Sequence, residues 1–193
     1  MNLRQYIDAL CARVLLEVDN LTRLDQAVGD GDFGTNIERG VLAIRALLSR
    51  LPHSLANRDL LLEAAKALNA AGCGTSGTLL SFGMMSGALR GESVTSFCES
   101  ALNRIKAAGK AQLGEKTLVD ALGPAVDVLR RGGNLAQAAL AAAAGATKTK
   151  EMLGTKGRSF YSQSRAAGIE DPGAYLIAAL FDEAARQQAG VLP

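Results

Sequence analysis

Leu3, Tyr6, Ile7, Leu10, Val14 and Val18 recur at three- and four-residue steps, the apolar stripe of an amphipathic helix through residue 18. The period returns in Ile37, Val41, Ile44, Leu47 or Leu48, and Leu51, and Pro52 ends it because its ring cannot continue a helix. Asn57 is placed to cap a helix through Leu60, Leu61, Ala64 and Leu68. A glycine-rich break at 72–77 follows. Leu79, Phe82 and Leu89 then mark a fourth helix, and Val94, Phe97, Ala101 and Ile105 a fifth that stops near Gly109. Residues 117–129 predict a sixth with a kink at Pro124, and Asn134 caps an alanine-rich seventh. Asp171-Pro172, an N-cap followed by proline at the first helical position, opens the last. No stretch alternates in the manner of a strand. About eight helices on mostly short connections predict an all-α fold with antiparallel neighbours. The exception is 147–170, whose Lys148, Lys150, Lys156, Arg158 and Arg165 suit either a solvated loop or a lid over an anion.

Composition narrows this further. The 193 residues suffice for one domain with its own core, spanning 1–193. Tryptophan is absent and aromatics are 4%, which favours close-packed helices over a β-sandwich. A net charge of +2 is too small to argue for nucleic acid or a membrane surface. No run approaches a membrane span, and the N-terminal residues lack a signal-peptide pattern. Cys11, Cys73 and Cys98 form no paired spacing, so a reducing cytoplasm is expected, without a disulfide framework or structural zinc.

The candidate chemistry concentrates between residues 24 and 36. Asp25, Asp30 and Asp32 are threaded by Gly29, Gly31 and Gly34, whose backbone freedom lets the carboxylates converge. Two such charges about 4 Å apart repel by roughly 4 kcal/mol at an effective dielectric of 20. A counter-charge is needed, and hard oxygen ligands suit Mg²⁺ or Ca²⁺. Thr35-Asn36 reads as an N-cap pair, which places the carboxylates beside a helix N-terminus. An EF-hand starting at Asp30 fails because Gly34 and Val41 occupy ligand positions. Asp32-Phe33-Gly34 spells the protein-kinase metal triplet, but the other kinase segments have no room upstream.

A second segment, Gly72-Cys73-Gly74-Thr75-Ser76-Gly77-Thr78, leads hydroxyls and open N–H groups into a helix. It follows a helix rather than a strand, and Thr78 stands without the lysine of a Walker A loop, so by itself it is a helix–helix turn. Gly114-Glu115-Lys116-Thr117 with Asp120 reads as a helix start. His53, the single histidine, falls in an exposed loop, so no Ser-His or Cys-His pair is assembled.

Taken in this order, the segments resemble the nucleotide-binding L subunit or L domain (DhaL-type) of dihydroxyacetone kinases. The likeness runs through Leu24–Asn36, the Gly-Thr-Ser-Gly loop at 74–77, Lys116–Pro124, Lys156-Gly157-Arg158 and Asp171-Pro172-Gly173-Ala174. It implies a closed barrel of eight antiparallel helices with ADP or ATP bound in the loops at one end. Two Mg²⁺ would join Asp25, Asp30 and Asp32 to the phosphates, with Phe33, Gly34, Thr35 and Asn36 lining the nucleotide beside them. Thr75 and Ser76 would contact phosphate, Gly114 and Leu118 would flank the base or sugar, and Arg158 with Asp171, Pro172 and Gly173 would close the site. Three aspartates and ADP carry about six negative charges; two Mg²⁺ leave about −2, within reach of helix N-termini worth about +0.5 each.

The resemblance also implies an enzyme that is active only with a partner. The ketose would be held by a separate K-type subunit through a covalent link to histidine. The phosphoryl donor would be free ATP or a phosphotransferase-system protein that recharges retained ADP. Phe33 departs from the histidine many members carry there, and phenylalanine can neither hydrogen-bond a phosphate nor take a proton. A non-catalytic nucleotide-binding regulatory module is the alternative function.

Overall fold

The computed structural model describes residues 2–156 and 166–190. Within them the chain forms α1 (Leu3–Leu16), α2 (Val18–Val28), α3 (Phe33–Leu48), α4 (Asn57–Ala70) and α5 (Gly74–Arg90). There follow α6 (Val94–Gly109), α7 (Val119–Arg130), α8 (Leu135–Lys148), a 3₁₀ turn (Thr149–Glu151) and α9 (Pro172–Gln188). Each helix from α3 to α9 packs on the next, α9 packs on α1, and α1 packs on α3. Eight helices therefore close a ring, and α2 joins it against α3 with a smaller contact to α9. This is the closed all-α architecture expected from the sequence.

Two apolar clusters fill the ring. Ile7, Val14, Leu21, Ile37, Ile44, Leu60 and Leu68 pack together among α1 to α4. Leu102, Ile105, Val119, Val126, Ala138, Ala142 and Phe181 do so among α6 to α9. Helix α9 serves both, sending Leu176 into the first and Ile177 into the second. Alanine and glycine on the buried face of α8 let it approach α7 closely.

The caps explain most of the boundaries. Asn134 accepts from the Gln137 N–H at 2.9 Å while Gln137 returns the bond to the Asn134 N–H, and Asp171 accepts from the Ala174 N–H at 2.8 Å. Elsewhere the structure corrects the sequence reading. The first stripe is two helices, broken at Glu17, whose carboxylate takes bonds from Arg13, Asn20 and the Tyr175 hydroxyl. Ala56 rather than Asn57 precedes α4, and Asp32 rather than Thr35-Asn36 precedes α3. Pro124 lies inside a continuous α7 that starts at Val119 rather than at 117. Among the described residues, no helix is long and apolar enough to cross a membrane.

Candidate functional site

Alternate members of the ring, α3, α5, α7 and α9, start at the same end. Phe33 and Asn36 of α3, Gly74, Thr75 and Ser76 of α5, Leu118 and Val119 at the start of α7, and Pro172 and Gly173 of α9 line one cavity of about 460 Å³. The first N–H groups of a helix have no partner within it, and each N-terminus carries about half a positive charge. Four such ends in one cavity make a receptor for an anion. A larger, shallower groove of about 580 Å³ shares Gly74, Thr75 and Leu79 but runs out along Phe82 and Ala108. It lacks the aspartates and three of the four helix starts, so the chemistry belongs to the smaller cavity.

Asp25 stands in the last turn of α2, buried, with Oδ2 accepting the Phe33 N–H at 3.0 Å. Gly31, at φ 78°, turns the chain between Asp30 and Asp32. One carboxylate oxygen from each of Asp25, Asp30 and Asp32 lies within 4.8 Å of the others. Asp25 is buried, Asp32 half-buried and Asp30 exposed. At this spacing a pair of charges repels by about 3 kcal/mol at a dielectric of 20 and about 1 kcal/mol in water. An all-oxygen anionic trio of this kind fits a hard divalent cation. Gly34 holds the arrangement: a Cβ there would lie 2.1 Å from Thr22 Oγ1 and 2.4 Å from the Val18 carbonyl, so only glycine lets α3 sit on α2 this closely. Thr35 is exposed and donates its hydroxyl to the Asp32 carbonyl at 3.0 Å.

Arg39, a residue the sequence reading missed, ties this loop to the next. Its guanidinium donates to the Ala71 and Gly72 carbonyls at 2.8 Å each and to Asn36 Oδ1 at 2.7 Å. That fixes the entry to Gly74, which takes φ 65° and begins α5 with Thr75 and Ser76 in its first turn.

The opposite wall depends on two more missed residues. Asp120 accepts the Gly114 N–H at 2.5 Å and the Thr117 N–H at 2.8 Å. Lys116, buried and left-handed at φ 60°, donates to the Thr149 carbonyl at 2.5 Å and the Ile169 carbonyl at 2.6 Å. Left-handed backbone costs an L-residue about 1–2 kcal/mol. Gly114 takes φ 89°, and a Cβ there would meet nothing within 4 Å; it is not among the residues that line the cavity. Only the run Lys116–Asp120 inside a recognisable segment hinted at these roles; a buried lysine has no periodic signature. Arg158 lies outside the described residues, as does the rest of 157–165 in the basic stretch that suits either a solvated loop or a lid.

Burial pushes the Asp171 carboxyl up to about 7, against the Ala174 N–H and the Lys116 charge that favour its ionised form. Burial likewise pulls Lys116 below its ordinary value, opposed by Asp171, Asp120 and Glu170. The Asp171 carboxyl is enclosed although the residue as a whole is only half-buried. A carboxyl whose value is raised by folding stabilises the fold below the ordinary carboxylate range of about 4, and that contribution is lost as pH rises through about 7. Asp171→Asn keeps an acceptor for the Ala174 N–H and cannot ionise. It is therefore expected to gain stability relative to wild type between pH 5 and pH 8, on the order of 2 kcal/mol. Urea unfolding of both proteins at the two pH values measures this; parallel profiles would refute it.

Comparison with known proteins agrees with this geometry. The sequence profile of the DAK2 domain matches residues 27–186. The ADP-binding subunit DhaL of a PEP-dependent dihydroxyacetone kinase from Listeria innocua is 36% identical over 172 residues, covering 83% of each chain. Human triokinase/FMN cyclase is 30% identical over 191 residues, 90% of this chain but 33% of its own. The crystal structure of the dihydroxyacetone kinase of C. freundii in complex with AMP-PNP and Mg²⁺ superposes with a TM-score of 0.80 at 29% identity, over 97% of this chain and 34% of that one. The chain thus spans most of the Listeria subunit and about a third of the longer kinases. Fold, motif order and profile coincide over most of its length: the chain belongs to the DAK2 domain family.

Proposed function

We propose that this chain is the Mg-nucleotide subunit of a dihydroxyacetone kinase, or of a kinase for a related short ketose, and is active only with a K-type partner that holds the ketose. The observation that carries the reading is a trio of converging carboxylates, two of which (Asp25 and Asp32) line the cavity on which four helix N-termini meet. ADP or ATP is the ligand this charge pattern suits, and kinases of this family named for such ligands support it. Asp25, Asp30 and Asp32 would hold two Mg²⁺, and α5 from Thr75 and Ser76, with Gly34, Thr35 and Asn36, would take the phosphates. Gly114 and Leu118 would stand beside the base or sugar, with Arg158 and 171–173 closing over it. When bound, the metal neutralises charge on the transferring phosphoryl group. The chain itself orients the phosphates by its N–H groups and keeps water from them with apolar walls such as Phe33 and Leu118.

No histidine of this chain is placed to hold the ketose. His53, the single histidine, is exposed in the connection after α3, whose start rather than its end borders the cavity. The donor would be a phosphotransferase-system protein recharging retained ADP, or free ATP; the words PEP-dependent and ADP-binding in the names of the Listeria relatives support the first. Three free cysteines support a cytoplasmic location, with residues 1–193 acting as one domain.

Thermal unfolding tests the ligand. Mg-ADP at 100 times its dissociation constant adds about 2.7 kcal/mol, a rise of roughly 5–10 °C over the protein in EDTA. No rise overturns the proposal. A rise without ketose phosphate, whichever K-type partner and donor are supplied, points instead to a regulatory module.

A further inference from the structure

One ammonium joins three segments that are far apart in the chain, two of which, 116–119 and 171–173, line the cavity. Lys116 Nζ, in 114–118, donates to the carbonyls of Thr149 and Ile169 at 2.5 and 2.6 Å. The Thr149 hydroxyl accepts the Asp171 N–H at 2.9 Å, so the third segment is held at two points. Asp120 closes the first segment from the other side, one oxygen on the Gly114 N–H and one on the Thr117 N–H. Lys116 is 1% exposed and Asp120 2%. All four bonds made by the Lys116 and Asp120 side chains run to main chain. Such groups fix where a backbone stands; they do not select a ligand by their own chemistry. A buried charge is also a poor way to stabilise a fold, because its desolvation offsets most of what pairing returns, and the left-handed turn at Lys116 adds strain. Apolar side chains would hold the loops as firmly but could not aim carbonyl and N–H groups.

We propose that Lys116 and Asp120 are positioning residues for nucleotide binding: they set 114–118 against 171–173 as the wall for the nucleoside part of the ligand. The phosphate and metal side is left to the aspartates and the α5 N-terminus. This rests on the functional reading above and makes a separate demand, namely that the two halves of the ligand respond differently.

Isothermal titration of wild type, Lys116→Met and Asp120→Asn with ADP and with pyrophosphate, both in excess Mg²⁺ and well below each unfolding midpoint, reads the halves separately. Asparagine can offer only one acceptor to the two N–H groups that Asp120 serves, so it tests the same wall by a milder change. In both variants ADP affinity is expected to fall at least tenfold, about 1.4 kcal/mol, with pyrophosphate within about threefold of wild type. Unchanged ADP affinity in a variant with a lowered unfolding midpoint would overturn the inference, since a lysine that only holds the fold behaves that way. Equal losses for ADP and pyrophosphate would overturn it as well. If Lys116→Met does not fold, Asp120→Asn decides by the same comparison. Wild type that fails to bind Mg-ADP overturns the functional reading and this inference with it.

Discussion

Asp30→Asn is expected to abolish the stabilisation by Mg-ADP. The aspartate trio is arranged to hold a cation. Its carboxylate oxygens lie within 4.8 Å of one another, so each carries a repulsion of about 1 to 3 kcal/mol per pair depending on local screening. Asp30 is the exposed member, where water keeps that cost near the lower figure. Removing its charge removes a ligand. Loss of a partner that merely orients a metal ligand already costs about 10–100-fold in affinity, so loss of a ligand should cost about 100-fold or more. At a concentration that gives wild type about 2.7 kcal/mol, a 100-fold weaker variant keeps only about 0.4. Thermal unfolding with and without Mg-ADP reads the shift. In Asp25→Asn the ligand-free fold should weaken as well, because that carboxylate is buried and accepts the Phe33 N–H. An Asp30→Asn protein that keeps the full Mg-ADP shift would remove the aspartates from the site.

The contrast between Asp30 and Asp25 also marks how much of the site could be read from residue order. The trio was legible because spacing within one short segment keeps the carboxylates near one another, and the glycines between them give the backbone the freedom to bring them together. The Asp171-Pro172 start of α9 was legible because a cap is a local hydrogen bond, here to Ala174 three residues on. Helix count was nearly right for the same reason, since apolar period is local. What failed was whatever depends on distant chain. The first stripe looks unbroken to Val18, yet Tyr175 reaches Glu17 from α9 and the helix divides there. Thr35-Asn36 has good capping chemistry, but the close seat of Gly34 on α2 starts α3 earlier, at Phe33. Lys116 was invisible because its partners, Thr149 and Ile169, are more than thirty residues away. A lysine in a Gly-Glu-Lys-Thr run reads as solvated until the fold buries it.

Gly145→Ala is expected to lower stability by about 2 kcal/mol or more, although it puts a better helix former in an alanine-rich helix. Propensity alone favours alanine by about 1 kcal/mol. Against it stands the approach of α8 to α7: a Cβ at 145 would lie 2.1 Å from the Asp120 carbonyl oxygen and 3.1 Å from the Ala121 Cα. Those are main-chain atoms, so no rotamer change relieves the overlap and the helices must separate. Overpacking typically costs about 1–3 kcal/mol, and backbone against backbone belongs at or beyond the upper end. The close approach has a local origin in Pro124, which has no N–H to give the Asp120 carbonyl one turn back. That leaves the carbonyl turned toward α8, where Gly145 presents only a Cα hydrogen as a weak donor. The residue whose carbonyl Gly145 meets also carries the carboxylate that holds Gly114 and Thr117, so displacing α7 should loosen the cavity wall as well. Urea unfolding should show a lower midpoint at an unchanged slope, and Mg-ADP affinity should fall with it. A variant at least as stable as wild type would mean that propensity outweighs contact here, and that α7 and α8 are not held backbone to backbone.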